Sequence, residues 1–287
     1  MGLIGAVGLV LHPRRDCSQA LGTITGWARG RGAAVLGLQE EVARIDRQTR
    51  WVPEARLAAE TDLLISLGGD GTMLRAMRLV DGHKTPVLGV NVGRLGFLAE
   101  IDIPELGEAL SAIDEHQFTV EGRSAVRAGF RGGVTTSFND VVLVRIPGRG
   151  GSAVVELEVE GHRFLRYAAD AVVVATPTGS TAYSFSAGGP IVSPRAEGLL
   201  VIPSAPHSAF NRALFLSPGE RLALTVLPTS AELAVEADGR VVGTLGPGDV
   251  LEVALEPAAA YVVRLGRTTF YQRAQRRLGL AGSAEAD

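Results

Sequence analysis

Residues 68–72, Gly68-Gly69-Asp70-Gly71-Thr72, set one carboxylate among three glycines. They stand between an apolar run, Asp62-Leu63-Leu64-Ile65-Ser66-Leu67, and the helix formers Met73-Leu74-Arg75-Ala76-Met77. Glycines let the backbone turn through positive φ and let a bulky anion approach the amides. A helix start behind such a turn, here with Thr72 placed to open it, favours phosphate. An aspartate in that position repels phosphate unless it binds a metal ion or takes a proton or hydrogen bond from a hydroxyl. Asp-Gly also reads as a tight turn ending a strand. These five residues alone leave the two readings level.

Three further stretches carry polar groups suited to a ligand. Asn139-Asp140 precedes the apolar run Val141-Val142-Leu143-Val144 with no glycine or proline beside it. Ala168-Ala169-Asp170-Ala171-Val172-Val173-Val174-Ala175 leads into Thr176-Pro177-Thr178-Gly179-Ser180-Thr181-Ala182-Tyr183-Ser184-Phe185-Ser186, a buried strand entering a hydroxyl-rich turn. There amides and hydroxyls can meet base edges and phosphates, and Tyr183 offers a ring for stacking on a purine, worth roughly 0.5–1.5 kcal/mol beyond burial. Asn91-Val92-Gly93-Arg94-Leu95-Gly96-Phe97-Leu98 is a glycine turn whose Leu95, Phe97 and Leu98 also suit a core. His207, a lone histidine, reads as structural, Arg212 is free to meet a phosphate or equally to be a surface arginine, and Asp238-Gly239 is most simply a hairpin turn. There is no Gly-x-x-x-x-Gly-Lys-Ser/Thr loop, no Gly-x-Gly-x-x-Gly after a strand and no His-Glu-x-x-His. A P-loop kinase, a standard dinucleotide oxidoreductase and a zincin are disfavoured.

The glycine-aspartate turn resembles the signature of the NAD kinases and, more distantly, of the diacylglycerol and sphingosine kinases. The stretch from 168 to 190 is specific to the NAD kinases, so the chain is identified as a member of that family. The resemblance implies transfer of the γ-phosphoryl group of ATP to the 2′-hydroxyl of the adenosine ribose of NAD, giving NADP. It makes Asp70 the catalytic group and has the amides of Gly68, Gly69, Gly71 and Thr72 cradle phosphate. Gly71 and Phe97 contact the dinucleotide, Asn139 and Asp140 hold ribose hydroxyls, and Thr181, Ala182 and Tyr183 surround the adenine with Thr178 and Ser186 close by. Asp170 addresses an amide or amino group of the dinucleotide in a site completed by a neighbouring subunit, which implies a homotetramer or homodimer. Mg²⁺ or another divalent cation accompanies ATP, with no protein metal ligand assigned. The sequence departs from the family pattern at Ala171, Ser204, Ala205 and Ala213. A diacylglycerol-type lipid kinase and a non-catalytic NAD(H)/NADP(H) sensor are the alternatives. The hydroxyl-rich loop speaks against the first and the presence of Asp70 against the second.

The elements that must position these residues fall into two grammars. Leu3–Leu11, Ala33–Leu36, the run at 62 and Pro86–Asn91 read as four buried strands, with a helix over Ser18–Arg31 on the face of Leu21, Ile24 and Ala28. Residues 39–61 carry no clear assignment, and Gln39–Arg50 reads as a loop. Such alternation predicts an α/β N-terminal domain with a parallel sheet, over 1–115, whose ligand binds at strand carboxyl ends. Beyond it Val155, Leu157 and Val159 alternate with Glu156, Glu158 and Glu160, and the runs at 222, 232 and 250 repeat the theme. A β-rich, largely antiparallel C-terminal domain over 116–269 is expected. The tail from about 270 to 287 is a candidate to pack back on the first domain as a helix, frayed from Gly282.

The 287 residues are 46% hydrophobic and 21% charged, an ordinary globular composition, with 36 glycines for turns and close approaches. A net charge of −3 gives no ground for nucleic acid or an anionic membrane as partner. One cysteine, Cys17, excludes an internal disulfide. No apolar stretch is long enough to span a bilayer and the Leu3–Leu11 run lacks a basic leader, so a cytoplasmic location is expected.

Overall fold

The structure is a computed structural model that describes residues 4–45, 48–93, 96–148, 150–207 and 210–280. Leu3, Arg94, Leu95, Ser208 and the tail from Gly282 lie outside the described residues. The chain forms two compact units, residues 1–122 with 259–287, and residues 123–258. The sequence reading drew these divisions at 115/116 and 269/270; two strands, Thr119–Phe130 and Val250–Arg264, run through the observed ones.

In the first unit, β1 (Ala6–Leu11), β2 (Ala34–Leu38), β3 (Arg50–Val52), β4 (Leu63–Gly68) and β5 (Pro86–Asn91) pair in parallel in the order β5-β4-β1-β2-β3. Every residue of β4 and β5 is buried, as an apolar run covered on both faces should be. The short β6 (Ile101–Asp102) and residues Tyr261–Val262 extend β5 in parallel. The chain leaves β1 toward β2 on one side and returns to β4 on the other, so the strand order reverses between β1 and β4. At such a switch point the connections diverge and leave a crevice at the carboxyl ends of the strands.

Helix α1 (Ser18–Arg31) follows its predicted bounds, buries Leu21, Ile24 and Ala28, and ends on Gly32 at φ 67°. Between the short α2 (Glu54–Leu57) and α4 (Leu106–Asp114) lies α3 (Asp70–Leu79), which corrects one expectation. It begins at Asp70 behind Gly69, not at Thr72. Residues 39–50 are also not a plain loop. They hold a 3₁₀ turn at Val42–Arg44 and lead into β3, which makes the strand at 62 fourth in the sheet's chain order rather than third. Glu41 is buried there, accepts the Leu11 amide at 2.8 Å and pairs with Arg75. The closing helix Phe270–Leu278 is started by a Thr269/Gln272 capping box, and its Arg273 reaches Glu100 at 3.3 Å. Glu100 also takes Arg264 at 2.8 Å and the Leu265 amide at 2.8 Å, and all three side chains of this ion cluster are buried.

In the second unit, β7 (Thr119–Phe130) and β8 (Gly133–Ser137) form a hairpin. The strands β9 (Asp140–Arg145), β10 (Ala153–Val159), β11 (His162–Ala169), β12 (Ala171–Ala175), β13 (Leu199–Ser204), β14 (Leu214–Leu216), β15 (Leu222–Val226), β16 (Leu233–Ala237), β17 (Arg240–Leu245) and β18 (Val250–Arg264) follow. One antiparallel sheet has the order β14-β13-β12-β9-β16-β17. In the other, β11, β10, β15 and the first part of β18 are antiparallel neighbours. Their facing side chains, among them Val141, Leu143, Val172, Val174, Val155, Leu157 and Leu224, make one core. Alternate residues of β12, Ala171, Val173 and Ala175, face the other way, onto a smaller cluster that includes Tyr183. One face of β10 departs from the expected wet pattern: Glu156 is buried under Arg163 and Arg166, which neutralise it at 3.2 and 2.7 Å.

Candidate active site

The expected site residues gather in two sets, one in each unit. In the first unit the carboxyl ends of β1, β4 and β5 meet at the switch point. Asp70 stands there, half-buried, as the first residue of α3. Its two carboxylate oxygens accept one amide each, Phe97 N–H on Oδ2 and Leu98 N–H on Oδ1, both at 3.0 Å. A carboxylate oxygen has two acceptor sites, so each retains capacity for a further partner. The backbone thus fixes the group without using it up.

The glycines around it serve different ends. A Cβ at Gly68 would stand 2.1 Å from the Thr72 hydroxyl, so Gly68 is dictated by packing. A Cβ at Gly69 or Gly71 would meet nothing within 4 Å. None of the three has positive φ, contrary to the reason first given for glycine here. At Gly69 and Gly71 neither conformation nor packing within the chain demands glycine. Thr72 is buried and its amide donates to the Gly69 carbonyl at 3.0 Å, so that amide belongs to the first turn of α3 rather than to a free phosphate cradle. Gly96 was missed as a site residue: a Cβ there would lie 2.1 Å from Asp70 Oδ1. Its signal was present in Leu95-Gly96-Phe97, where a glycine precedes the amides that grip Asp70. Phe97 is half-buried, and it touches the site through its backbone amide.

The loop after β1 lies on the same edge, since His12 N–H donates to the Leu67 carbonyl at 2.8 Å. The His12 ring accepts the Arg14 and Arg15 amides at 3.1 Å each, and Arg15 donates to the Val92 carbonyl. Burial, then the charges of Arg15, Arg14 and Arg44, push the His12 pKa below the usual histidine value. This cationic edge also escaped the sequence reading, because two arginines after His-Pro carry no pattern of their own.

In the second unit, Asn139 and Asp140 open β9, between the end of β12 and the end of β16. Three segments close on them. From β12, Thr176 donates its hydroxyl to the Phe138 carbonyl at 2.6 Å and its amide to the Asn139 carbonyl at 2.9 Å. Gly179 comes so close that a Cβ would stand 2.0 Å from the Asn139 carbonyl oxygen. From β16, Asp238 accepts the Asn139 amide at 2.8 Å, the Ser137 hydroxyl at 2.6 Å and the Phe138 amide at 3.3 Å. From the Thr178–Thr181 3₁₀ turn and α5 (Tyr183–Ser186), the Tyr183 amide donates to the Asp140 carboxylate. Asn139, Asp140, Thr178, Thr181, Ala182 and Tyr183 are thereby brought together. Thr178 is buried, Thr181, Ala182 and Tyr183 are half-buried, and Ser186 is exposed at the far end of α5. Thr176 and Asp238 are the members that sequence reasoning missed or read as a plain turn.

Asp140 is only 4% exposed. Burial, followed by the Asp238 charge, pushes its pKa up to about 7, against the Tyr183 amide and with a smaller push from Glu236. A buried carboxylate beside a second one resists ionisation until a donor arrives.

Asp170 is not brought to this set. It precedes β12, whose other end, Ala175, pairs with Asp140. Five residues of extended strand separate them, about 16 Å. Its carboxylate pairs instead with Arg145 at 2.7 Å, both half-exposed.

Comparison with known proteins agrees across both units. The ATP-NAD kinase N-terminal domain family matches residues 20–118 and the ATP-NAD kinase C-terminal domain family residues 138–265. NAD kinase 1 of Streptomyces avermitilis is 38% identical, covering 98% of this chain and 88% of its own. NAD kinase of Symbiobacterium thermophilum is 39% identical over 86% of this chain and 89% of its own. Among solved structures, yeast NADH kinase complexed with NADH superposes with a TM-score of 0.85 at 26% identity, covering 99% of this chain and 89% of that one. Matched in both halves and along nearly its whole length, the chain belongs to the NAD kinase family and is a phosphotransferase that acts on NAD.

Proposed function

We propose that Asp70 is the group that accepts the proton of the adenosine-ribose 2′-hydroxyl of NAD, or holds that hydroxyl in line, while the γ-phosphoryl group of ATP is transferred to it. The observation that carries this reading is the pair of amides on Asp70 beside two glycines whose open faces nothing in the chain requires. Phosphoryl transfer passes through a loose transition state, so it asks for positioning and charge neutralisation more than for covalent help. Gly69 and Gly71 admit the phosphates to the backbone. Arg14 and Arg15 supply positive charge on the same strand edge. Gly68 and Thr72 hold the turn in shape. Phe97 lies along the dinucleotide. Asn139 and Asp140 hold the ribose, and Thr178, Thr181, Ala182, Tyr183 and Ser186 line the adenine. ATP as donor is supported by the description of the matched family.

Mg²⁺ is taken to enter with the donor as part of the substrate, held chiefly by its phosphates. The assay is incubation with NAD, ATP and Mg²⁺, with product read by an NADP-specific dehydrogenase. Loss of product in Asp70→Asn with NAD still bound supports the role of Asp70, and normal turnover removes it.

The working form is proposed to be a homotetramer or homodimer in which Asp170 serves a neighbouring subunit's site. Its separation from Asp140 along β12 supports this. Full activity per chain in a monomer verified by sedimentation would refute it. No helix among the described residues is long and apolar enough to cross a membrane; a cytoplasmic location is proposed on the sequence grounds given above.

A further inference from the structure

We propose that Asp238 is a positioning residue for dinucleotide binding: its carboxylate sets the backbone from which Asn139 and Asp140 address the ribose. This inference rests on the ribose role proposed for those two residues.

Asp238 opens the turn of the β16–β17 hairpin with φ at 47°, followed by Gly239 at 71°. A non-glycine residue rarely holds such a backbone, although aspartate tolerates it better than most. A plain turn would need no more. Here the carboxylate leaves its own hairpin and accepts from the β8–β9 connection: the Asn139 amide at 2.8 Å, the Phe138 amide at 3.3 Å and, at 2.6 Å, the Ser137 hydroxyl, whose one proton it shares with the Asp140 carbonyl at 2.5 Å. Its own amide donates to the Asp140 carbonyl at 3.1 Å. Four consecutive residues, 137 to 140, are thus fixed by one side chain and its backbone. Charge-assisted bonds of this kind are about twice as strong as neutral ones. Thr176 and Gly179 hold the same segment from the opposite side, so the loop has no slack.

The same carboxylate acts on Asp140 through its field. The charged groups facing Asp140 are Asp238 and Glu236, both on the β16 side, and both raise its pKa; the Tyr183 amide opposes them. Asp238 therefore orders the ribose-binding residues and also sets the pH at which one of them ionises. A residue that was only a hairpin turn would do neither.

The test is Asp238→Asn in the full chain, with kcat and KM for NAD and for ATP measured separately across neutral pH, beside a melting curve. Asparagine keeps the shape and one acceptor but sets an NH₂ against the Phe138 amide. The expected result is a rise in KM for NAD of about tenfold, with kcat and KM for ATP within about twofold. The pH midpoint of the NAD KM should also move to lower pH, because one negative charge has left Asp140. Unchanged KM for NAD, equal rises for both substrates, or an unmoved midpoint would overturn the proposal. If Asp238→Asn does not fold, Ser137→Ala carries the test, since it removes one donor and leaves the hairpin. It should raise the NAD KM alone, by about threefold, and no rise would overturn the proposal. Asn139→Ala in parallel separates the two claims. If it leaves the NAD KM unchanged, the ribose reading itself fails; if it raises KM while Asp238→Asn does not, only the positioning role fails.

Discussion

Asp70 and Asp140 are both aspartates at strand ends, one in each unit, and their surroundings differ in kind. Asp70 is half-exposed and held by two backbone amides, with glycine at 96 leaving room for its carboxylate. Asp140 is buried, faces Asp238 and Glu236, and has one amide in its favour. The first arrangement orients a charged group and leaves acceptor sites open for an incoming hydroxyl. The second withholds charge until a ligand supplies a donor. On the roles proposed above, the contrast is between a group prepared for a chemical step and a group prepared for recognition, although the residue type is the same.

The sharpest way to break the contrast is Asp70→Asn. It should lower turnover by roughly 10²–10⁴-fold, toward the lower end because the transition state is loose. NAD affinity by calorimetry should change little, and a collapse of binding in a folded variant would recast Asp70 as a ligand holder. Next, Gly96→Ala tests whether orientation matters apart from charge. A methyl group 2.1 Å from Oδ1 must displace the carboxylate, and a displacement near 1 Å should cost up to about 10²-fold in kcat. Unchanged kcat with an unchanged melting point would mean that the amide clamp is incidental.

On the recognition side, Tyr183→Ala should raise the NAD KM by about two- to tenfold through lost stacking while leaving that for ATP alone. Equal rises would reduce Tyr183 to packing against the β12 cluster. The smallest expected effect is on pH. With Asp140 ionising at about 7 in the free protein, the ionised form that best accepts a ribose hydroxyl increases as pH rises, so the NAD KM should fall through that range. The sign for stability is opposite: a carboxyl whose pKa is raised on folding contributes stability at low pH, and this is lost as pH rises through about 7. Asp140→Asn should flatten both profiles, as read by initial rates and by melting curves of the ligand-free protein.

Much of this was legible in the sequence, and the reason differs by region. The buried strands at 62 and 86 and the helix at 18 carry local signals, an unbroken apolar run and a helical stripe, that the structure follows closely. The turn at 68–72, Asn139-Asp140 and the loop after 176 were visible because polar residues interrupt apolar runs. The partners of these residues were not visible. Gly96, Thr176 and Asp238 act on groups that are distant in sequence or that belong to another strand, and antiparallel neighbours such as β9 and β16 leave no local pattern. Strand β3 was lost because three residues give too short a period to read. Thr72 misled for a simpler reason: a threonine near a helix start looks like a cap, but here it packs back onto Gly68.

The ion cluster on Glu100 bears on how the protein is made. Glu100 leaves the ribosome long before its partners, which lie 164 and 173 residues downstream at Arg264 and Arg273. At roughly 5–20 residues per second that interval is about 8–35 s. During it the first unit has its glycine-aspartate turn and most of its sheet, but its buried carboxylate lacks both guanidinium partners. The second unit is contiguous in the chain and is synthesised whole within the same interval. The first unit to be started is therefore the last to be finished, and a chain stopped short of Arg264 would leave the ribosome with Glu100 uncompensated.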